Sequence, residues 1–527
     1  MKSSYIALAS LIFPIMAGAV STPPSDVTFK KDFYFYKISS NGNWVGSRTE
    51  YVSIYNVSTG ELKEYPELEM SLGLGNCISD QGLVVGSTND HAVMLKDGEP
   101  IYPEALNNSY WFCDIQAITP DGSRITGLIN NPEISQIAIV PFVADLDANG
   151  NVTEIVIPDF PKEDFFGSPP MYVKASWISA DGKTICGGVT DFRGMYEYPI
   201  IYKETAAGEW TYLCPSKPLF NPDDIYLPPN PDVEEPPYPE PEDYMSGLKL
   251  SAYQAAYQNW LNSGAVGDGP DIYQYMTEEQ AAQYNEAARF YNTWFYSVDE
   301  ARQEYYRIYA QVVAKSPIFS DNDVALNPTG AFMMTHAWRQ EGNEDRGQIY
   351  RFECDGSGYV EYDLGTGEDS SMYPNQILSN GLSLITTRWS YVTPVKTYVI
   401  SPGSTEMKPV MDFLKQDYND IYTWVETNFS NGTGTVVFSE DMSVMASGMN
   451  ALSLPDFNAT DDPAYPLSFI VKNLKLSKIE KISYDLDNGR IKVYNLQGVE
   501  LLDTKNEEAV KALPAGIYII NGKKIKI

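Results

Sequence analysis

The sequence predicts a mainly β fold: a seven-bladed β-propeller with an inserted α-helical subdomain and a small C-terminal β-sandwich domain. A recurring phrase, the strands that follow it, and one interruption predict this. The phrase is an aliphatic residue, a small polar residue, one further position, Asp or Asn, Gly, then a short apolar run that usually ends in Gly. It reads ISSNGNWVGS from Ile38, ISDQGLVVGS from Ile78, ITPDGSRITG from Ile118 and ISADGKTICG from Ile178, with looser copies LNPTGAFMMT from Leu326, LSNGLSLITT from Leu378 and FSEDMSVMAS from Phe438. The first three copies start 40 residues apart, the length of a four-stranded propeller blade.

Each position of the phrase has a physical task. The aliphatic ends an inner strand, the hydroxyl and carboxylate or amide bond nearby backbone amides, and the Gly takes the positive φ of a tight turn. The β-branched run behind it is a second strand, and Gly46, Gly86, Gly127 or Gly187 allows close backbone approach near a crowded centre. A third strand then follows: YVSIYNV from Tyr51, HAVMLKDG from His91, QIAIVPFVADL from Gln136, YPIIYKE from Tyr198, GQIYRFEC from Gly347, KTYVISPG from Lys396 and PLSFIVKNL from Pro466. Turns such as Asp97-Gly98, Asn149-Gly150 and Asp355-Gly356 lead to fourth strands, among them EIVIP from Glu154 and YVEYDL from Tyr359. The last copy has no fourth strand of its own, so residues 27 to 33 are expected to supply it and close the ring. An open sandwich or solenoid is the alternative architecture.

The pattern stops between the fourth and fifth copies. Residues 221 to 243 are acidic and Pro-rich, hence extended. Ser251 to Leu261 is helix-forming, Thr277 with Gln280 makes a capping box, and Ser297 with Glu300 makes another for a helix ending before Pro317. The segment is rich in Tyr and Trp, whose flat apolar faces and polar edges pack helices and suit sugar rings or peptide surfaces. The expected division is therefore 1–19 signal peptide, 20–220 blades one to four, 221–317 linker and helical insertion, 318–475 blades five to seven, and 476–527 the C-terminal domain.

Lys2, the apolar run from Tyr5 to Met16, and Ala17-Gly18-Ala19 match a signal peptide cleaved before Val20, and no later run is long and apolar enough to span a bilayer. With Lys+Arg 37 against Asp+Glu 70, a net charge of -33 disfavours nucleic acid and anionic membrane surfaces as partners. The scattered cysteines Cys77, Cys113, Cys186, Cys214 and Cys354 read mainly as small buried hydrophobes, with one disulfide open to them.

The C-terminal segment reads IKVYNLQGVELL from Ile491, then an acidic spacer, then LPAGIYIINGKKIKI. Through Val493, Tyr494, Asn495, Gly498, Leu513, Pro514, Gly516, Ile517, Tyr518, Gly522, Lys523 and Lys524 it resembles the type A C-terminal sorting domain of the type IX, or Por, secretion system of Bacteroidota. That resemblance implies export across the outer membrane, to the cell surface or medium, with the secretion machinery as a partner. The repeat phrase also resembles extracellular β-propeller repeats of the HAF type. The Asp-box of sialidases differs by one residue, since Asp121-Gly122 and Asp181-Gly182 are adjacent here, so no sialidase chemistry is carried over.

In an up-and-down blade, the second-to-third loops and the blade-to-blade crossings share one face. Candidate ligand-binding residues on that face are Arg48, Arg193 with Tyr196, Arg339 with Arg346, Arg388 with Trp389 and Tyr391, and the stretch from Leu454 to Asp462. Trp260 and Trp294 of the insertion join them. Only His91 and His336 are available, which excludes a multi-His metal site, and no nucleophile elbow, P-loop or H-E-x-x-H motif occurs. Asp145, Asp147, Asn149 and Gly150 match the start of a calcium loop, but Val156 stands where its last acidic ligand belongs, and a hairpin turn explains them equally. The expected function is binding of a glycan or protein ligand with no cofactor. The alternatives are a carbohydrate-active hydrolase or lyase with paired carboxylates in the funnel, and a structural role in surface assembly.

Overall fold

The computed structural model describes residues 20–48, 51–89, 91–130, 138–192, 196–220, 239–262, 270–294, 316–341, 344–366, 371–388, 393–430, 432–455, 463–474, 491–494, 500–504, 517–520 and 523–526. The signal-peptide stretch and the helix expected from Ser297 lie outside them. Contacts divide the chain into one unit of Met1–Phe220 with Pro317–Ile527 and a second unit of Asn221–Ser316.

The first unit is mainly β, an array of antiparallel sheets of propeller type, in the first six of which strands follow chain order. Sheet I is Phe35–Ile38, Trp44–Arg48, Val52–Asn56 and Leu62–Tyr65; sheet II is Ser71–Leu72, Val84–Thr88, His91–Lys96 and Glu99–Ile101. Sheet III is Cys113–Ile118, Arg124–Asn130, Ile139–Leu146 and Val152–Val156. Sheet IV begins with the interrupted strand Tyr172–Val173 and Trp177–Ile178, then Thr184–Thr190, Glu197–Ala206 and Glu209–Leu213; a parallel bridge from Ile139 to Tyr172 joins it to sheet III. Sheet V is Ile318–Leu326, Phe332–Glu341, Glu344–Glu353 and Tyr359–Thr366; sheet VI is Met372–Ile377, Ser383–Thr387, Thr397–Ile400 and Met407–Pro409. Sheet VII takes Thr435–Phe438, Met445–Asn450 and Pro466–Val471 from near the end of the unit, and its outer strand, Val27–Lys31, from the beginning, with Val27 opposite Val471 and Lys31 opposite Leu467. The described C-terminal strands, Ile491–Tyr494, Glu500–Thr504, Ile517–Ile520 and Lys523–Lys526, form a further antiparallel sheet.

The turn inside the phrase is built alike in the first, third, fourth and seventh copies. In the fourth, the Ser179 hydroxyl donates to Asp181 Oδ1 at 2.6 Å and accepts the Thr184 N–H at 2.9 Å, while Asp181 Oδ1 accepts the Lys183 N–H at 3.0 Å. Gly182 donates to the Ser179 carbonyl and takes a φ of 71°. The seventh copy has Met442 at the equivalent place, at φ 55°. A left-handed non-Gly residue costs about 1–2 kcal/mol, which burial of the Met442 side chain in the core offsets.

Adjacent turns bond to one another in a circle. Glu440 N–H donates to Ser40 O at 2.8 Å, Asn41 N–H to Asp80 Oδ1 at 2.7 Å, and Asp80 N–H to Pro120 O at 2.8 Å. Ala180 N–H donates to Pro328 O at 2.7 Å, and Ser379 N–H to Glu440 Oε2 at 2.8 Å. Pro120 and Pro328 have no N–H to pass on. At those two places side chains complete the circle, Arg124 Nη1 donating to Gly182 O at 3.2 Å and Asn327 Nδ2 to Leu378 O at 2.8 Å.

The core lies between the sheets. Phe35, Val45 and Tyr55 of sheet I pack on Val437 and Ile470 of sheet VII, and Met334 and Ile349 of sheet V on Met372 and Ile385 of sheet VI. Two helices that the sequence reading did not anticipate, Val410–Asp417 and Asn419–Asn428, join sheet VI to sheet VII. Val410, Leu414, Ile421, Trp424 and Val425 bury one face of them against Phe469 and Val471, a 3.6-residue spacing that was present in the sequence. All the cysteines are free thiols; Cys77, Cys113, Cys186 and Cys354 are buried.

The second unit contains the helix Gly247–Asn262 and a helix described over 278 to 294. The capping box at the start of the latter is formed in both directions, with Thr277 N–H donating to Gln280 Oε1 at 2.9 Å and Gln280 N–H to Thr277 Oγ1 at 3.3 Å. Tyrosines pack on each other within the unit, for example Tyr253 edge-on to Tyr275 and Tyr244 edge-on to Tyr284.

Candidate functional site at the centre of the sheets

The first strand of each sheet is the one that meets the neighbouring sheets, so its residues lie nearest the centre. Toward the crossing end, side chains from successive sheets form a girdle of two groups, one running through sheets I, VII, VI, V and IV and the other joining sheets III and II. The Tyr34 hydroxyl of the sheet I approach is 2.8 Å from Thr435 Oγ1 of sheet VII, and Tyr373 of sheet VI bonds the same threonine. Arg388 lies with its guanidinium 5.9 Å from the Tyr373 ring centroid and donates through Nη2 to Asp323 Oδ2 of sheet V. Beside Asp323, Asn322 Oδ1 accepts from Lys174 Nζ of sheet IV at 3.4 Å. On the sheet III side, Gln116 Nε2 donates to Asp114 Oδ2 at 2.5 Å and Gln116 Oε1 accepts the Leu74 N–H at 3.0 Å.

Local sequence explains the placement of Asp323. The register between the first two strands of sheet V slips between Phe319 and Val324, and this bulge turns Asp323 inward. Its side chain is 11% exposed, whereas Arg388 is 48% exposed, so a nearly buried carboxylate holds a guanidinium whose outer edge stays open to solvent. His336 Nδ1 lies 3.9 Å from the same Asp323 oxygen and is buried. Burial pulls the Arg388 guanidinium below its ordinary value and pushes the Tyr373 and Tyr34 hydroxyls up, so at neutral pH this part of the girdle presents the Arg388 cation beside two neutral hydroxyls.

Below the girdle lies a cavity of ≈ 50 Å³ bordered by Tyr36, Lys37, Trp177, Asn375, Gln376 and Glu440. Two of these side chains are committed to backbone: Gln376 Nε2 donates to Phe438 O at 2.7 Å and its Oε1 accepts the Phe438 N–H at 2.8 Å, while Asn375 Nδ2 donates to Val436 O at 3.0 Å. Glu440 is raised above the usual carboxylate range by desolvation, which the Ser379 hydrogen bonds oppose and the charges of Asp80 and Asp441 reinforce.

The structure separates the candidate residues named from sequence. Arg388 belongs to the girdle. Tyr196 does not face solvent: it is 2% exposed, packed among Phe165, Phe166, Tyr198 and Phe220, with its hydroxyl donating to Pro317 O at 3.2 Å. Its neighbour Arg193, together with Trp389 and Tyr391, lies outside the described residues, as do residues 456 to 462 and the side chain of Arg48. Arg339 and Arg346 face each other across the long hairpin of sheet V and pair with that sheet's own acids, Arg339 with Glu361 at 3.5 Å and Arg346 with Asp363. Trp260 and Trp294 belong to the second unit, ring to ring with Tyr257 and Tyr291, each at 5.5 Å.

Asp145, Asp147 and Asn149 form a hairpin turn. Asp145 Oδ1 accepts from Arg124 Nε at 2.6 Å, and Asp147 accepts the Asn149 and Asn151 N–H groups at 2.8 and 2.9 Å. Among the described residues, no group of three or more His, Cys, Asp or Glu is placed to hold a metal ion. The girdle residues Tyr34, Thr435, Tyr373 and Asp323 went unnamed from sequence. The inward turn of Asp323 comes from a bulge, which the FSDNDVAL run marks only by its extra polar residues.

The Arg346 guanidinium holds the Asp363 carboxyl down at about 2. Since that lies below its unfolded value of about 3.9, the pair stabilises the fold above pH ~4 and the contribution disappears as pH falls through the folded value. Replacing Arg346 by Met is expected to return Asp363 to the ordinary carboxylate range in an NMR titration; an unmoved midpoint would contradict the pairing.

No protein-family model and no curated protein matches this chain. Among solved structures it is similar to hydrazine synthase of Kuenenia stuttgartiensis, at 10% identity over 81% of this chain and 94% of that one, with a TM-score of 0.37. It is also similar to an oligogalacturonate lyase in complex with manganese, at 8% identity over 85% and 91% of the chains and a TM-score of 0.37. The β-propeller domain of the Trilobed protease from Pyrococcus furiosus gives 10% identity over 80% and 79% and a TM-score of 0.27. At such scores none of these likenesses bears on ligand or activity.

Proposed function

We propose that this chain is an exported, seven-bladed β-propeller that binds a glycan or protein ligand at the crossing end of its centre and performs no chemistry on it. The observation that carries the reading is the girdle, in which Arg388 is held over Tyr373 by the nearly buried Asp323 with one edge open. A pre-oriented guanidinium beside aromatic faces and hydroxyls is suited to the polar and apolar sides of a sugar ring, and it pays little ordering entropy on binding. A glycan is therefore the first ligand to try and a protein surface the second. Export by the type IX machinery of Bacteroidota is the part of this reading that rests on the C-terminal motif, and a surface or extracellular location follows from it.

The test is a glycan and protein array on the chain from Val20, with Arg388→Ala alongside. The variant is expected to lose roughly tenfold or more in affinity. It should remain folded, because Asp323 keeps His336 beside it. Unchanged affinity for every hit would refute the girdle as the site. Oligosaccharide products released from a hit would instead favour a hydrolase or lyase, for which Asp80 and Glu440, both raised by desolvation, are the first acids to replace.

A further inference from the structure

Among the described residues, Lys37 is a cation without a carboxylate partner. It stands one residue before the end of the first strand of sheet I, just ahead of the phrase, and its Nζ donates to the carbonyls of Leu74 and Gly75, which follow the first strand of sheet II, the latter at 3.0 Å. The ring centroids of Tyr36 and Trp177 lie 5.7 and 5.8 Å away. No described carboxylate comes within 4.0 Å of it, although Asp and Glu outnumber Lys and Arg by 70 to 37 in this chain. Burial tends to pull such an ammonium below its usual value, but two carbonyl acceptors and two π faces stabilise the charged form.

Lys37 is half-buried, and taking a charge partly out of water is costly unless an opposite charge or dipole receives it. Carbonyl dipoles and rings meet part of that need. The remaining side of Lys37 borders the ≈ 50 Å³ cavity, which is large enough for a few water molecules or one small polar group and is walled by Trp177 and Tyr36. The amides of Asn375 and Gln376 already bond the innermost strand of sheet VII, and Lys37 is the cationic donor on the cavity wall, with Ser40 and Asn76 as neutral polar neighbours.

We infer that this cavity is a subsite for a single carboxylate group, which Lys37 pairs as counter-ion while the rings of Trp177 and Tyr36 enclose its apolar stem. The site deepens the binding reading above, since the carboxylate is either a free small acid or the end group of the larger ligand. Glu440, which also lines the cavity, works against the anion and limits its affinity.

The probe is acetate, titrated into the chain from Val20 with lysine side chains labelled at Cε and followed by NMR, the Lys37 resonance being assigned by its absence in Lys37→Met. A saturable shift of that resonance with acetate, and none with acetamide or chloride, is the expected result. No saturable shift, or an equal one with chloride, would overturn the inference. Lys37→Met loses the two carbonyl contacts and is checked for folding by its melting curve; Lys37→Arg and Glu440→Gln test the same point without removing the cation. Lys37→Arg should keep acetate binding within about threefold, and Glu440→Gln should tighten it by about threefold or more; loss of binding in both would refute the site. Array hits that need Arg388, together with no saturable acetate shift, would leave the binding reading standing and sink this one, whereas acetate binding with a blank array would do the reverse.

Discussion

Alanine at Gly127 is expected to destabilise the protein by roughly 3 kcal/mol or more, because the added methyl has nowhere to go. A Cβ built there would sit 2.0 Å from the Asp114 carbonyl oxygen and 2.9 Å from Ile115 Cα, both backbone atoms of the innermost strand of sheet III. Gly86 and Gly187, at the same step of the phrase, meet the carbonyls of Ser71 and Lys174 at 1.9 and 2.2 Å. The cause is a packing one: the first two strands of these sheets cross close to the centre, and a carbonyl turns toward the position opposite. Gly358 is the control, since nothing lies within 4 Å of its Cβ position; alanine there should change stability by less than about 0.5 kcal/mol. Urea midpoints of both variants decide the matter, and similar values for the two would remove the close approach as the reason for glycine in the phrase.

Deleting residues 20 to 31 should cost roughly 5 kcal/mol, a large part of what holds a domain folded. Val27–Lys31 pairs along its whole length with Pro466–Val471, buries Val27, and sets the Phe29 ring 5.8 Å from Phe429 and 6.3 Å from Trp424. Ahead of it, Ser21 is gripped by the second of the two helices between sheets VI and VII. Its N–H donates to Asn428 Oδ1 at 2.7 Å, its hydroxyl accepts from Asn428 Nδ2 at 2.9 Å, and its carbonyl accepts from Trp424 Nε1 at 3.1 Å. Without the arm, an outer edge of sheet VII and part of that helix face water. A synthetic peptide of residues 20 to 31 added to the truncated chain is expected to restore most of the lost stability. A truncated chain with an unchanged denaturation midpoint would mean that the arm is not what closes sheet VII.

Much of the architecture is legible because it is local. The Ser, Asp and Gly of the phrase act on backbone groups no more than five residues away, as Ser179, Asp181 and Gly182 do, so their order along the chain is already their order in space. The capping box of Thr277 and Gln280 is legible for the same reason. Residues 27 to 33 are assigned to the last sheet by bookkeeping alone, since one set of strands is a member short, and the strand runs over Val27–Lys31 of them. Missing from that reading were the helices Val410–Asp417 and Asn419–Asn428, whose apolar spacing was hidden between two strands and a neighbouring Asn-rich run.

The candidate site was far less legible. Tyr196 looked like a ligand-facing aromatic beside Arg193 because loops at a sheet end tend to carry function, but Phe165, Phe166 and Phe220 arrive from elsewhere in the chain to cover it. Arg339, Arg346 and Arg388 look equivalent in sequence. The first two find acids on the next strand of their own hairpin, and Arg388 finds Asp323 across a sheet boundary, 65 residues away. By itself, then, the sequence determined the repeat, the turn chemistry, the glycine positions and the acidic surface, all of which depend on short-range backbone geometry or on composition. Only the tertiary structure decided which arginine is oriented at the centre, which tyrosine is core, and that Lys37 stands without an acid, because each of these depends on which sheets meet, and burial and pairing are settled between residues far apart in the chain.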